Sequence, residues 1–155
     1  MPELAIQIKD LKKSYQDVFA LKGVNVDIPK GEFFGLLGPN GAGKTTAISM
    51  LCGLFEPSRG GARVDGFDIR DPSELHCIHQ TMGVCPQHDV LWEDLTAREH
   101  LLFYGRLKGL KGKALLDEVA STLEDVKLTF AADKASGQYS GGMKRRLSVA
   151  NALVG

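Results

Sequence analysis

Gly38-Pro39-Asn40-Gly41-Ala42-Gly43-Lys44-Thr45 decides how the rest of this chain is read. The stretch fits G-x-x-x-x-G-K-[ST], and each fixed residue type has a physical task. Glycines let backbone N–H groups turn inward around phosphate oxygens, a lysine meets the β and γ charges, and the threonine hydroxyl can ligate Mg²⁺. The flanks agree. Phe33-Phe34-Gly35-Leu36-Leu37 is short and continuously apolar, as expected of a strand covered on both faces in a parallel sheet. Beyond the loop, Ile48, Leu51, Cys52 and Phe55 recur at helical spacing, so a helix is expected over 44–54. A Gly-rich turn with an exposed lysine would lack this strand-loop-helix context.

Working outward, the first thirty residues alternate apolar and polar, with Leu4, Ile6, Ile8 and then Val24, Val26, Ile28, which is the period of half-buried strands. They predict an antiparallel sheet, with Lys30-Gly31 turning the chain. A further strand is expected over 62–69 around a Val64-Asp65-Gly66 turn, and a buried one over 82–85, closed by Pro86. From about Asp89 the pattern becomes helical. Thr96 and Glu99 have capping-box spacing ahead of Leu101, Leu102, Tyr104 and Leu107. A second helix is predicted from about Lys113, with Leu115, Leu116, Val119, Leu123 and Val126 on one face. A third opens at Ser140 and carries Met143, Leu147, Ala150 and Val154.

Composition bounds the function. In 155 residues, 19 Lys+Arg balance 19 Asp+Glu, which argues against a nucleic-acid binder that works by charge. Residues 1–100 carry 10 basic and 14 acidic side chains and residues 101–155 carry 9 and 5, an asymmetry that a solvated helical face explains as well as an acidic partner does. No uncharged run approaches the roughly 20 residues of a spanning helix. Met1 to Asp10 lacks the basic start and apolar block of a signal peptide, so a cytosolic context is expected. Cys52, Cys77 and Cys85 form no CxxC and are expected to be reduced thiols. Of the 18 glycines several cluster at 35–43 and 137–142, a sign of backbone approaching a ligand closely.

GPNGAGKTT at 38–46, Gln87 in Met82-Gly83-Val84-Cys85-Pro86-Gln87, and Tyr139-Ser140-Gly141-Gly142-Met143-Lys144-Arg145-Arg146-Leu147-Ser148 stand in one order along the chain. This ordered triple resembles the nucleotide-binding domain of an ABC transporter over essentially the whole length. The resemblance implies an α/β P-loop fold with an antiparallel β subdomain, a partial parallel core sheet and a helical subdomain. It places the nucleotide-binding core at 1–88 and 136–155 and the helical subdomain at 89–135. It implies ATP and Mg²⁺ as cofactors, held by Tyr15, Gly38, Asn40, Gly41, Ala42, Gly43, Lys44, Thr45, Thr46, Gln87, Ser140, Gly141 and Gly142. In that scheme Tyr15 stacks on adenine, Thr45 and Gln87 reach Mg²⁺, and Ser140 to Gly142 meet the γ-phosphate of ATP on an opposing subunit. The implied partners are the transmembrane domains of a transporter and a second nucleotide-binding domain closing an ATP sandwich. Nucleic acid is not among them, and the chain would sit at the cytoplasmic face of a membrane, touching it only through its partner domain.

The signature also makes physical sense by itself, since Ser140 is a good helix N-cap and two glycines expose backbone donors to an anion, although Ser-Gly-Gly before a helix is usually only a cap. Two departures point to subfamily A, the exporters associated with lipids. Met143 stands where glutamine is common and Tyr139 where leucine is, and Gln87-His88-Asp89-Val90-Leu91 leans the same way. Drug-exporter ATPases, soluble ABC-type ATPases acting on DNA or ribosomes, and a nucleotide-binding module without turnover are the alternatives. The 52 residues between Gln87 and Ser140 leave no room for the long coiled coil of a DNA-repair type.

In the family a buried strand ending in Asp-Glu, a short loop and a switch histidine follow the signature helix, and Gly155 precedes all three. Both binding surfaces without the hydrolytic centre are therefore expected, and a chain that does not turn over ATP alone. Ala114-Leu115-Leu116-Asp117-Glu118 imitates the Asp-Glu strand, but its apolar spacing continues as a helix, so a solvated acidic pair is expected there. His76, Cys77, His79, Cys85 and His88 lie close in sequence, yet none has the spacing of a structural zinc site.

Overall fold

The computed structural model describes residues 3–16 and 18–155, which fall into two compact units, 1–81 and 82–155. In the first unit β1 (Leu4–Tyr15) pairs antiparallel with β2 (Val18–Pro29) and, on its other edge, with β3 (Arg59–Val64). The short β4 (Phe67–Asp68) completes a four-stranded sheet of order β2-β1-β3-β4. The expected Asp65-Gly66 turn joins β3 to β4 with both residues at positive φ, 51° and 88°, the geometry of a two-residue hairpin whose twist suits the strands. Ala62 and Val64, two apart on β3, share the buried face, while a register shift between Ile8 and Leu11, with Asp10 at a φ of 46°, lets both of these β1 residues join them in the core with Leu21.

Helix α1 (Lys44–Leu51) follows the glycine loop and buries Ala47 and Met50. It ends three residues earlier than expected, and Ile48 and Phe55 are exposed. Ile48 instead borders an apolar cleft of about 560 Å³ together with Ile6, Ile8, Val26, Phe34 and Leu37.

Two predicted strands are corrected. Residues 33–37 form no strand: none of the described strands pairs with them, and Phe33 and Leu37 are 103% and 93% exposed. A parallel-type strand exists only by exchanging backbone hydrogen bonds with neighbours, and an apolar run without a ladder remains loop. Residues 82–85 are likewise unpaired. Helix α2 (Pro72–Thr81), by contrast, goes beyond the sequence expectations. Its signal is local: the Asp71 carboxylate accepts from the Ser73 backbone N–H at 2.9 Å, Pro72 occupies the first helical position and Glu74 the first turn.

The second unit is helical: α3 (Ala97–Leu107), α4 (Gly112–Asp125) and α5 (Gly141–Leu153), with short 3₁₀ turns at Thr129–Ala131 and Ser136–Gln138. The capping box forms as expected. Thr96 Oγ1 accepts from the Glu99 N–H at 3.2 Å, and Glu99 Oε2 accepts from the Thr96 N–H at 2.8 Å. Leu101, Leu115, Val119, Leu123, Leu147, Ala150 and Val154 make the core. Leu107 and Leu116, expected on the same faces, are exposed because each lies about a quarter turn off its buried stripe. Of the acidic pair expected to be solvated on α4, Asp117 is exposed and Glu118 is half-buried.

Candidate nucleotide site

Tyr15 and residues 38–46 belong to the first unit, Gln87 and 140–142 to the second. At the glycine loop, Gly41 and Gly43 carry φ values of 82° and 85°, a left-handed backbone that other residues adopt at a cost of about 1–2 kcal/mol. Gly43 also abuts β2, where an added Cβ would collide with the Ala20 carbonyl oxygen and press on Leu21. The helix start is thereby held against the sheet. Gly43 is the N-cap of α1 and offers no side chain to its free N–H groups, and no acidic residue occupies the first turn. Uncapped N–H donors at the positive end of a helix are an anion site.

Lys44 curls back over the loop. Its ammonium donates to the carbonyl oxygens of Gly38 at 2.6 Å and Pro39 at 2.8 Å. Two carbonyls leave a third donor of the ammonium to spare, which fits a polyphosphate laid along the loop. Asn40, Gly41, Ala42 and Thr45 are exposed, and Thr46 is half-buried. A hydroxyl at Thr45 beside such phosphates suits a hard cation such as Mg²⁺, which takes oxygen ligands and usually shares them with phosphate.

Tyr15 ends β1 with its ring 46% exposed. The ring is not bare. Phe55 meets it edge-on at 6.5 Å, and the Lys13 ammonium lies 5.2 Å from its centroid while donating to the Glu56 carbonyl oxygen at 2.7 Å. The sequence expects Phe55 only on a helical face and gives Lys13 no role at the site. Lys13 was readable, because residues two apart share one face of a strand. Phe55 comes from another element and left no such signal.

In the second unit Ser140 caps α5, accepting from the Met143 N–H at 3.3 Å, and leaves Gly141 and Gly142 exposed. The departures of this segment are matters of packing. Tyr139 is buried and its hydroxyl donates to the Ala131 carbonyl oxygen at 2.6 Å, while Met143 packs against the helical core. Burial pushes the Tyr139 phenol above its usual pKa. Lys144 pairs with Glu93 at 3.2 Å, and Arg146 donates to the carbonyls of Val126 and Lys127 beyond the end of α4. Arg145 donates to the Pro86 carbonyl oxygen at 2.6 Å, and so ties the loop bearing Gln87 to the signature helix. Gln87 itself is exposed. Of the five His and Cys residues noted above, His79 has its Nε2 2.9 Å from the Cys52 carbonyl oxygen, and burial pushes the Cys52 thiol up.

A glycine loop that opens an uncapped helix, with a lysine folded into it, defines a P-loop nucleotide-binding protein. Residues 21–155 match the family described as ABC transporter. Among curated proteins the chain is 52% identical to ABC transporter A family member 10 of Arabidopsis thaliana, over 97% of its own length and 17% of that protein's. It is 55% identical to A family member 3 of the same plant, over 88% of its length and 15% of that protein's. Two solved structures are also similar. One is an ATP-binding subunit of an ABC transporter, with a TM-score of 0.85, 29% identity, and 97% of this chain and 62% of that one covered. The other is cbiO1 from Clostridium perfringens, part of the ABC transporter complex cbiONQ, with a TM-score of 0.88, 26% identity, and coverage of 98% and 62%. The chain belongs to the ABC transporter family, has the ABC ATPase fold, and most resembles the nucleotide-binding domains of subfamily A. It spans about a sixth of the length of these curated relatives.

Proposed function

We propose that this chain is the ATP-binding part of a subfamily A transporter, in which ATP binding and hydrolysis drive the movement of lipid across a membrane. The observation that carries the reading is the Lys44 ammonium, held by the Gly38 and Pro39 carbonyls over a helix start without a side-chain cap. On this reading residues 38–46 hold the phosphates, Tyr15 supports the base, Thr45 and Gln87 face Mg²⁺, and Ser140 to Gly142 present donors to nucleotide on a second nucleotide-binding domain. When bound, Mg²⁺ neutralises charge on the β and γ oxygens. This chain's residues bind and orient. Transmembrane domains of the transporter are the other partner, which places the chain at the cytoplasmic face of a membrane. Among the described residues no helix is long and apolar enough to cross a membrane.

The test is ATP retention by Lys44→Ala. The variant should lose measurable ATP binding with its circular dichroism unchanged, because among the described residues the Lys44 ammonium bonds only the Gly38 and Pro39 carbonyls of its own loop. Equal affinity in variant and parent would refute the assignment.

A further inference from the structure

The second unit joins two segments 58 residues apart in sequence through one guanidinium. Arg145 stands in the second turn of α5, the helix opened by Ser140-Gly141-Gly142. Its Nη1 donates to the Pro86 carbonyl oxygen at 2.6 Å and to the Asp89 carboxylate at 3.2 Å, with the Gln87 carbonyl oxygen at 3.5 Å. These acceptors flank and include Gln87, whose side chain is left exposed. No helix or strand holds 82–90, so the loop has no ladder of its own to fix its course. Asp89 is the more buried partner of the ion pair, with a side chain 25% exposed against 47% for Arg145.

We infer that Arg145 is a positioning residue for Gln87: it sets the backbone from which the glutamine side chain projects and makes the signature helix and the glutamine loop move together. Residue type matters here. All three contacts come from one nitrogen, Nη1, whose two hydrogens the planar guanidinium holds in fixed directions, whereas the donors of a lysine ammonium turn freely on a flexible stem. Neighbouring Lys144 and Arg146 face elsewhere, toward Glu93 and the end of α4, so neither can replace it. Exposure weakens the ion pair as a source of stability. Its effect is therefore on where the loop sits more than on whether the unit folds. The inference rests on the proposed contact of Gln87 with Mg²⁺, and the test separates the two.

The experiment compares the parent chain with Arg145→Gln, Arg145→Lys and Gln87→Ala. Limited proteolysis within 82–90 by a broad-specificity protease reads the clamp directly. ATP affinity measured with Mg²⁺ and again with EDTA reads its consequence. Arg145→Gln should speed cleavage within 82–90 by tenfold or more, with helix content by circular dichroism unchanged. It should also reduce the Mg²⁺-dependent gain in ATP affinity at least threefold, as Gln87→Ala does, with affinity in EDTA unaltered. Arg145→Lys should fall between parent and Arg145→Gln in both measurements. It also keeps the test usable should Arg145→Gln fail to fold. Unchanged loop cleavage in the Arg145 variants overturns the clamp. Faster cleavage with a full Mg²⁺ gain, where Gln87→Ala loses that gain, overturns the positioning role alone. A full Mg²⁺ gain in Gln87→Ala overturns the Gln87 reading and the inference with it.

Discussion

Gly43 and the carbonyl of Ala20 approach so closely that no side chain fits between them, and Gly43 also holds a φ of 85°. Two independent constraints therefore demand glycine at the point where the phosphate loop becomes a helix. Gly43→Ala should cost at least about 1–2 kcal/mol for the left-handed backbone, with a further cost for displacing the β2 carbonyl. Its urea midpoint should fall, and ATP affinity should drop at least tenfold as the helix start is pushed off the sheet. An unchanged midpoint would show that β2 yields freely at Ala20.

Acid should act on the second unit through Glu99. The backbone N–H and the hydroxyl of Thr96 donate to its carboxylate and hold it below the ordinary glutamate value of 4.5. A folded pKa that is lowered contributes stability above the unfolded value, and that contribution is lost as pH falls through the folded one. Glu99→Gln should therefore be less stable than the parent at pH 7. The gap should close as pH drops below about 4.5, which thermal unfolding of both proteins from pH 7 to pH 3 will follow.

Phe33 and Leu37 project almost wholly into solvent beside the apolar cleft of about 560 Å³. Exposed apolar surface of this extent promotes association. The chain should self-associate at micromolar concentration, and Phe33→Ser/Leu37→Ser should shift its sedimentation toward monomer without loss of helix content. A parent protein that sediments as a monomer across that range would contradict the prediction.

Local chemistry was the legible part of this sequence. The Thr96–Glu99 box, the Asp65-Gly66 hairpin and the start of α5 at Ser140 each depend on a few adjacent residues, and each is found where the sequence places it. The glycine loop is legible for the same reason, since residues 38–45 carry their own turn and helix start. What failed depends on distant partners. Residues 33–37 have the composition of a buried strand, but a strand is a relation between segments, and none of the described strands supplies the other half. Ile48 and Phe55 failed with it, because helical spacing fixes a face and not what covers it. The Arg145 contacts were illegible for a third reason: an arginine in a basic run gives no hint of which carbonyls and carboxylate, 56 to 59 residues away, it will reach.

The Tyr15 ring offers the sharpest test of the base site. Nearly half of it is exposed at the end of β1, while Phe55 and Lys13 support it from within the same unit. A ring held on one side and open on another is suited to stacking, and base–aromatic stacking is worth about 1–3 kcal/mol. Tyr15→Ala should therefore weaken ATP binding by roughly 5- to 150-fold, while Tyr15→Trp, which keeps a flat aromatic face, should bind within about threefold of the parent. Triphosphate alone separates stacking from a damaged loop: its affinity depends on residues 38–46 and should be the same in all three proteins. Loss of triphosphate binding in Tyr15→Ala would mean that the ring, through Phe55 four residues beyond α1, supports the fold of the loop and not the base.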